Sequence, residues 1–230
     1  MKKSKRLYPP LTDASYLVLT DMRKIIAGFA AAASGVVIDY GAGSKPYQSL
    51  FPATVRYRGA DFYAEGPDEI RITDPKHLPV DDAVADWVVS FQVLEHVEDP
   101  LGFLKECRRV VRPGGTLLLS THGIWPYHTG GNCGDYYRWT GSGLTLLVKQ
   151  AGFDSVVVHS ATTGWRGILQ QALAMKDPAR QPQSWLVKQL KRLLNLAVNV
   201  FAEIINPICR NYNDRADILP IVYVLKATAT

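Results

Sequence analysis

The chain has 230 residues, of which 47% are apolar and 20% charged, and it carries a formal charge of +5. That length suits one α/β domain with an insertion better than two domains, and the balance of apolar to charged residues excludes wholesale disorder. Part of the positive excess lies in Met1-Lys-Lys-Ser-Lys-Arg6, which reads as a solvated tail and gives little support for a nucleic-acid partner.

The basic start imitates the first part of a signal peptide, but Leu7-Tyr-Pro-Pro-Leu-Thr-Asp13 has no continuous apolar stretch and no small-residue cleavage site. The expectation is a cytoplasmic protein. Thr12 and Asp13 can cap a first helix over 14–33. Val36-Val-Ile38 is a β-branched run that ends in Asp39-Tyr-Gly-Ala-Gly43, the pattern of a buried strand feeding a glycine turn. Pro46 then suits the first turn of a helix whose positive end points at a carboxylate. Val55–Ala60, Glu69–Thr73 and Asp86–Ser90 read as strands. Asp61 to Ile70 is too short for a full crossover helix, so a loop or single turn is expected there. Asp99-Pro100 opens a helix to about Val111, Arg112-Pro-Gly-Gly115 breaks it, and Thr116–Thr121 is another strand.

Beyond a glycine-rich loop at 123–135, a helix over 141–151 ends at Gly152, a residue suited to the left-handed cap position. Ser155–Ser160 and Ile218–Ala227 read as the last strands, with a long helical segment over 165–210 between them. Three scattered cysteines, Cys107, Cys133 and Cys209, form neither a disulfide framework nor a CxxC metal pair. No apolar run reaches the roughly 18 residues of a spanning helix. Strands alternating with helices imply a doubly wound parallel sheet covered on both faces.

In such sheets a ligand sits beyond the carboxyl ends of the strands. The residues there are Asp39, Gly41 and Gly43 after the first strand, Asp61 and Phe62 after the second, and Asp74, Leu78 and Pro79 after the third. Glycines admit close backbone approach, Asp61 can accept both hydroxyls of a ribose, Phe62 can lie on an adenine, and Asp74 can accept from an exocyclic amine. Together they describe a site for an adenosine without a phosphate chain.

Four ordered segments carry a resemblance: Val37-Ile-Asp-Tyr-Gly-Ala-Gly43, Asp74-Pro-Lys-His-Leu-Pro79, Phe91-Gln-Val-Leu-Glu-His-Val97 and Arg109-Val-Val-Arg-Pro-Gly-Gly115. They resemble the motifs of class I S-adenosylmethionine (SAM)-dependent methyltransferases of the type 11 kind, from about residue 35 to 160. The resemblance implies a Rossmann-like seven-stranded sheet of order 3-2-1-4-5-7-6 with the last strand antiparallel, its core at 35–160 plus 217–228, and a helical insertion at 165–210. It also implies that Asp39, Gly41 and Gly43 hold the methionine end of SAM, Asp61 the ribose and Asp74 the adenine, with Gln92 close to the sulfonium. Ser44-Lys-Pro46 departs from the family, which has a third small residue there.

Acceptor chemistry falls to the loop after Thr121-His122-Gly123. A hydroxyl acceptor needs a general base or a metal. His122 and His128 are the base candidates, with Asp135 or Tyr136 as orienting groups, and Glu95-His96 reads equally as a helix cap. A metal set of His122, His128, Cys133 and Asp135 lacks a recognised spacing, so no metal is expected.

In Trp185–Ile208, Leu186, Leu190, Leu193, Leu194, Ala197, Phe201, Ile204 and Ile205 recur at helical spacing, with Lys188, Lys191, Arg192, Asn195 and Asn199 among them. Such a helix can lie on an anionic membrane, or pack on the sheet or on a second subunit. Packing is the preferred reading, since an apolar stripe usually means core. The expected activity is methyl transfer to a small-molecule or glycan acceptor, through oxygen, with no nucleic-acid partner. The alternatives are a non-catalytic or membrane-associated scaffold and a nicotinamide-dependent oxidoreductase, although the latter wants the third glycine.

Overall fold

Apolar strands alternating with amphipathic helices build a sheet buried on both faces. The computed structural model describes residues 4–128, 134–175, 184–206 and 218–230. Strands β1 (Val36–Tyr40), β2 (Arg56–Asp61), β3 (Ile70–Arg71), β4 (Ala85–Phe91), β5 (Val111–His122), β6 (Phe153–Ala161) and β7 (Val222–Ala229) form one sheet of order β3-β2-β1-β4-β5-β7-β6. Pairings among β1 to β5 are parallel, and β7 runs antiparallel to both β5 and β6. This is the order and polarity implied by the motifs.

The two-residue period of the strands divides the core. Val37, Val89, Leu118 and Val224 face helix α1 (Tyr16–Ala30) with its Val18, Met22 and Ile26. Their neighbours Ile38, Val88, Leu117 and Leu225 face α2 (Pro100–Val110) and α3 (Gly141–Gln150). Asp99 caps α2 by accepting from the Gly102 N–H, with Pro100 in the first turn.

Three expectations need correction. No α-helix follows β1; a single 3-10 turn, Gln48–Leu50, takes its place. Pro46 and Pro52 leave room for only one turn between them, because a residue preceding proline is disfavoured in the helical region. Secondly, β5 begins at Val111 rather than at Thr116, taking Arg112-Pro-Gly-Gly115 into a bulged start, and β7 begins four residues later than Ile218. The third concerns the helical segment, which contains α4 (Gly164–Met175) and α5 (Trp185–Ile205). The apolar stripe of α5 does not pack on the sheet: Leu186, Leu190, Leu193 and Ile204 are 70%, 67%, 62% and 64% exposed, while Asn199 is fully buried. The short crossover from Asp61 to Ile70 contains no helix, as its length requires.

Candidate functional site

The carboxyl ends of β1, β4 and β5 open on two neighbouring cavities. The smaller, about 120 Å³, is lined by Asp39, Gly41, Gly43, Pro46, Tyr47 and Gln92 among others. The larger, about 370 Å³, lies between α1 and the loop after β5, against Met22, Gln92, Glu95, His122, Trp125 and His128. Gln92 and Arg6 line both. Gln92 adopts a left-handed backbone (φ 59°) and bonds Ser120 through its amide side chain, which fixes it between the cavities.

At the smaller cavity the glycine turn folds back onto β2, with the Gly41 and Ala42 N–H groups donating to the Ala60 carbonyl. Gly41 has φ 79°, and a Cβ there would stand 2.5 Å from Val93 Cγ2, so only glycine fits. Gly43 donates to Asp61 Oδ2 at 2.9 Å, and Tyr63 N–H donates to Asp61 Oδ1 at 3.1 Å. The Asp61 carboxylate is therefore fixed at the joint of the first two strand ends. Asp39 is 2% exposed and accepts from the Tyr57 hydroxyl at 2.6 Å. Burial pushes its pKa up to about 7, against the opposing pull of the Tyr57 hydrogen bond and the Lys45 charge. A carboxyl held in this way gains from a cationic ligand in the cavity.

Asp61 and the remaining residues of the expected adenosine pocket are not among the residues lining either cavity. Phe62 is half-exposed. Asp74 sits in an exposed turn, accepting from the Lys76 N–H at 2.9 Å. Leu78 is a core residue, fully buried among the α2-side apolar side chains, and its N–H donates to Glu106 Oε1 at 2.7 Å.

At the larger cavity His122 ends β5 and is 6% exposed. Its Nδ1 stands 3.5 Å from Oε1 of Glu95, a fully buried carboxyl whose other oxygen accepts from the Thr121 hydroxyl at 2.9 Å. Burial pushes the His122 pKa down to about 2 and raises that of Glu95, so each is driven toward its neutral form. Trp125 stacks on the His122 ring, and the His128 ring lies 5.0 Å from it.

His128 has Asp135 as its partner, with Nδ1 3.3 Å from Oδ2. Burial would raise the Asp135 pKa, but the doubly bonded Arg138 guanidinium overrides it and holds that carboxyl down to about 2. The Tyr136 hydroxyl donates to Glu98 at 2.9 Å. Of the two expected orienting groups, Asp135 stands beside His128, while the carboxyl facing His122 is Glu95, which was not among them. The sequence offers Glu95 only as a helix cap and Arg6 only as part of a solvated tail, and it gives Tyr57 no role; the structure sets Glu95 and Arg6 against the cavities and Tyr57 on Asp39. The position of Glu95 just past β4, a sheet neighbour of β5, was the available signal. Among the described residues no group of three His, Cys, Asp or Glu is arranged to hold a metal ion, and Cys133 lies outside them.

Residues 41–119 match the family model described as a methyltransferase domain. A probable S-adenosylmethionine-dependent methyltransferase of Mycolicibacterium smegmatis is 37% identical across a match covering 37% of this chain and 35% of that protein. A ubiquinone biosynthesis O-methyltransferase of Parvibaculum lavamentivorans is 36% identical over 53 residues, 23% of this chain and 21% of that protein. The chain therefore spans well under two thirds of the length of the curated relatives it matches. A SAM-dependent methyltransferase structure from Archaeoglobus fulgidus superposes with a TM-score of 0.55 at 14% identity, covering 97% of this chain and 96% of the other, a likeness of fold.

Proposed function

We propose, for a chain that carries a class I SAM-dependent methyltransferase domain, that the whole chain is one catalytic unit transferring a methyl group to the oxygen of a small-molecule or glycan acceptor. The observation that carries this reading is the pair of cavities meeting at Gln92, one walled by the glycine turn and Asp39, the other by a buried histidine and carboxyl. When bound, SAM supplies an electrophilic methyl group on a sulfonium.

The residues present fit that group. Asp39 faces the α-ammonium, whose charge would favour ionisation of the raised carboxyl. With no helix start after the glycine turn, the cation for the methionine carboxylate is Arg6, which lines the same cavity. Asp61 takes the ribose hydroxyls, and Phe62 and Asp74, which lie outside both cavities, would flank an adenine extending from the smaller one. The missing helix start also disfavours a nicotinamide oxidoreductase, whose pyrophosphate needs that positive end.

In the larger cavity His122 acts as base. With Nδ1 toward Glu95, the Nε2 atom is left for the acceptor hydroxyl. An imidazole with so low a proton affinity takes that proton only while ionised Glu95 stabilises the resulting imidazolium, so Glu95 is a positioning and charge-compensating residue. His128, tied to Asp135, is the second candidate base. Alignment of acceptor and methyl across Gln92 supplies the rest of the rate. This reading has the protein working in the cytoplasm, as a monomer or homodimer, touching the inner face of the membrane through residues 185–208.

Calorimetric titration with S-adenosylhomocysteine tests the assignment, together with methyl-transfer assays over candidate phenols, alcohols and glycans. The wild type is expected to bind in the micromolar range. His122→Ala should bind equally well and turn over about 100- to 10,000-fold more slowly. A wild type that does not bind the ligand would refute the reading.

A further inference from the structure

Helix α5 is amphipathic in the opposite sense to a core helix. Its polar residues fasten it to the protein. Asn199 Nδ2 donates to the carbonyls of Leu11 and Asp13 at 2.7 and 3.0 Å, and Asn195 donates to Thr12 at 3.1 Å. Glu203 accepts at 3.2 Å from Arg166, a buried guanidinium that also grips Asp21 of α1. The opposite side is the row Leu186, Leu190, Leu193, Ala197, Phe201 and Ile204, spaced three and four apart along the helix. Every one of these side chains is exposed, and no charged residue interrupts the row. Exposed Trp165, Ile168 and Met175 on the adjoining α4 add to the apolar surface. A continuous apolar surface of this kind marks an interaction site.

Charge decides between occupants. Helix α5 carries three cations, Lys188, Lys191 and Arg192, all in its first half near the 72%-exposed Trp185. Its single acid, Glu203, is held by Arg166. Exposed Lys188 and Arg192 lie toward the polar side of the helix, away from the apolar row, which is where a helix lying on an anionic surface carries its cations, whereas a second copy of the apolar face would bring them no free carboxylate. Among the described residues no helix is long and apolar enough to cross a membrane, which leaves a helix of about 31 Å lying along the surface.

We propose that the apolar face of α5 docks flat on an anionic lipid bilayer. The segment gripped by Asn195 and Asn199 runs directly into Ser15 and Val18, which line the histidine cavity. Gln171 of α4 donates to the carbonyl of Ile124, next to Trp125 in the wall of that cavity. Docking therefore brings the histidine cavity to the bilayer, where it receives an acceptor carried on a lipid. This last step rests on the methyltransferase reading, and the docking itself does not.

The test is sedimentation of the full chain with vesicles of phosphatidylcholine alone and of phosphatidylcholine mixed equally with phosphatidylglycerol. Leu190→Glu combined with Phe201→Glu alters two exposed positions and should leave circular dichroism and S-adenosylhomocysteine affinity unchanged. The wild type is expected to pellet with the anionic vesicles at least about tenfold more than with the neutral ones, and the double variant to lose that binding. Wild-type protein remaining in the supernatant with anionic vesicles would overturn docking, even if S-adenosylhomocysteine still bound. So would a wild-type dimer that the double variant converts to monomer, since the face would then belong to a second copy. Vesicle binding by protein without affinity for S-adenosylhomocysteine would support docking and remove only the methyltransferase reading.

Discussion

Replacing Asp39 with asparagine is expected to stabilise the fold and, at the same time, to weaken its hold on the cofactor. Burial, with Asp61 and Glu69 adding to it, raises the Asp39 pKa from 3.8 to about 7, while Tyr57 and Lys45 pull the other way. The folded state consequently binds more protons than the unfolded chain between those values, and stability falls as pH rises from about 4 to about 7. At pH 8 the full cost is about 4 kcal/mol, and at pH 5 it is between about 1 and 2 kcal/mol. Asparagine cannot ionise, yet it keeps an oxygen to accept from the Tyr57 hydroxyl. Urea unfolding followed by tryptophan fluorescence should show the gain of D39N over wild type to be about 3 kcal/mol larger at pH 8 than at pH 5. S-adenosylhomocysteine affinity of the wild type should rise with pH through about 7 as Asp39 ionises, and that of D39N should be lower and flat. A gain in stability that is equal at both pH values, or larger at pH 5, would refute the assignment of a buried, reluctantly ionised carboxyl.

Asp61→Ala removes the acceptor of the Gly43 and Tyr63 N–H groups as well as the ribose acceptor, and should weaken S-adenosylhomocysteine binding at least about tenfold by calorimetry. Glu95→Gln should lower kcat more than it raises KM. In the wild type the rate should fall toward acid at a pH above the ordinary glutamate range, because burial raises Glu95, and in the variant that acid limb should be absent from the pH profile. Arg166→Met should cost about 3 kcal/mol in urea unfolding, the low end for a broken buried pair, because Asp21 and Glu203 retain some contact with water. Its loss should also loosen α5, seen as faster amide exchange over 185–205.

The sheet was legible because its information is local. Val37 and Ile38 favour a buried strand, Gly41 a turn and Asp99-Pro100 a helix start, each for reasons contained within a few residues. The order of the strands followed from four motifs in sequence. The one-turn limit after Pro46 was also written locally, in Pro52, but the expected helix start obscured it. What only the tertiary structure decided was which polar groups meet. Glu95 and His122 are 27 residues apart in sequence and are brought together because β4 and β5 are neighbours in the sheet. Tyr57 reaches Asp39 across β2 and β1 for the same reason. The outward direction of α5 was equally hidden. Periodicity shows that a helix has an apolar face, but whether that face turns inward depends on partners elsewhere in the chain. Here the carbonyls of Leu11, Thr12 and Asp13, with Arg166, hold the polar side instead.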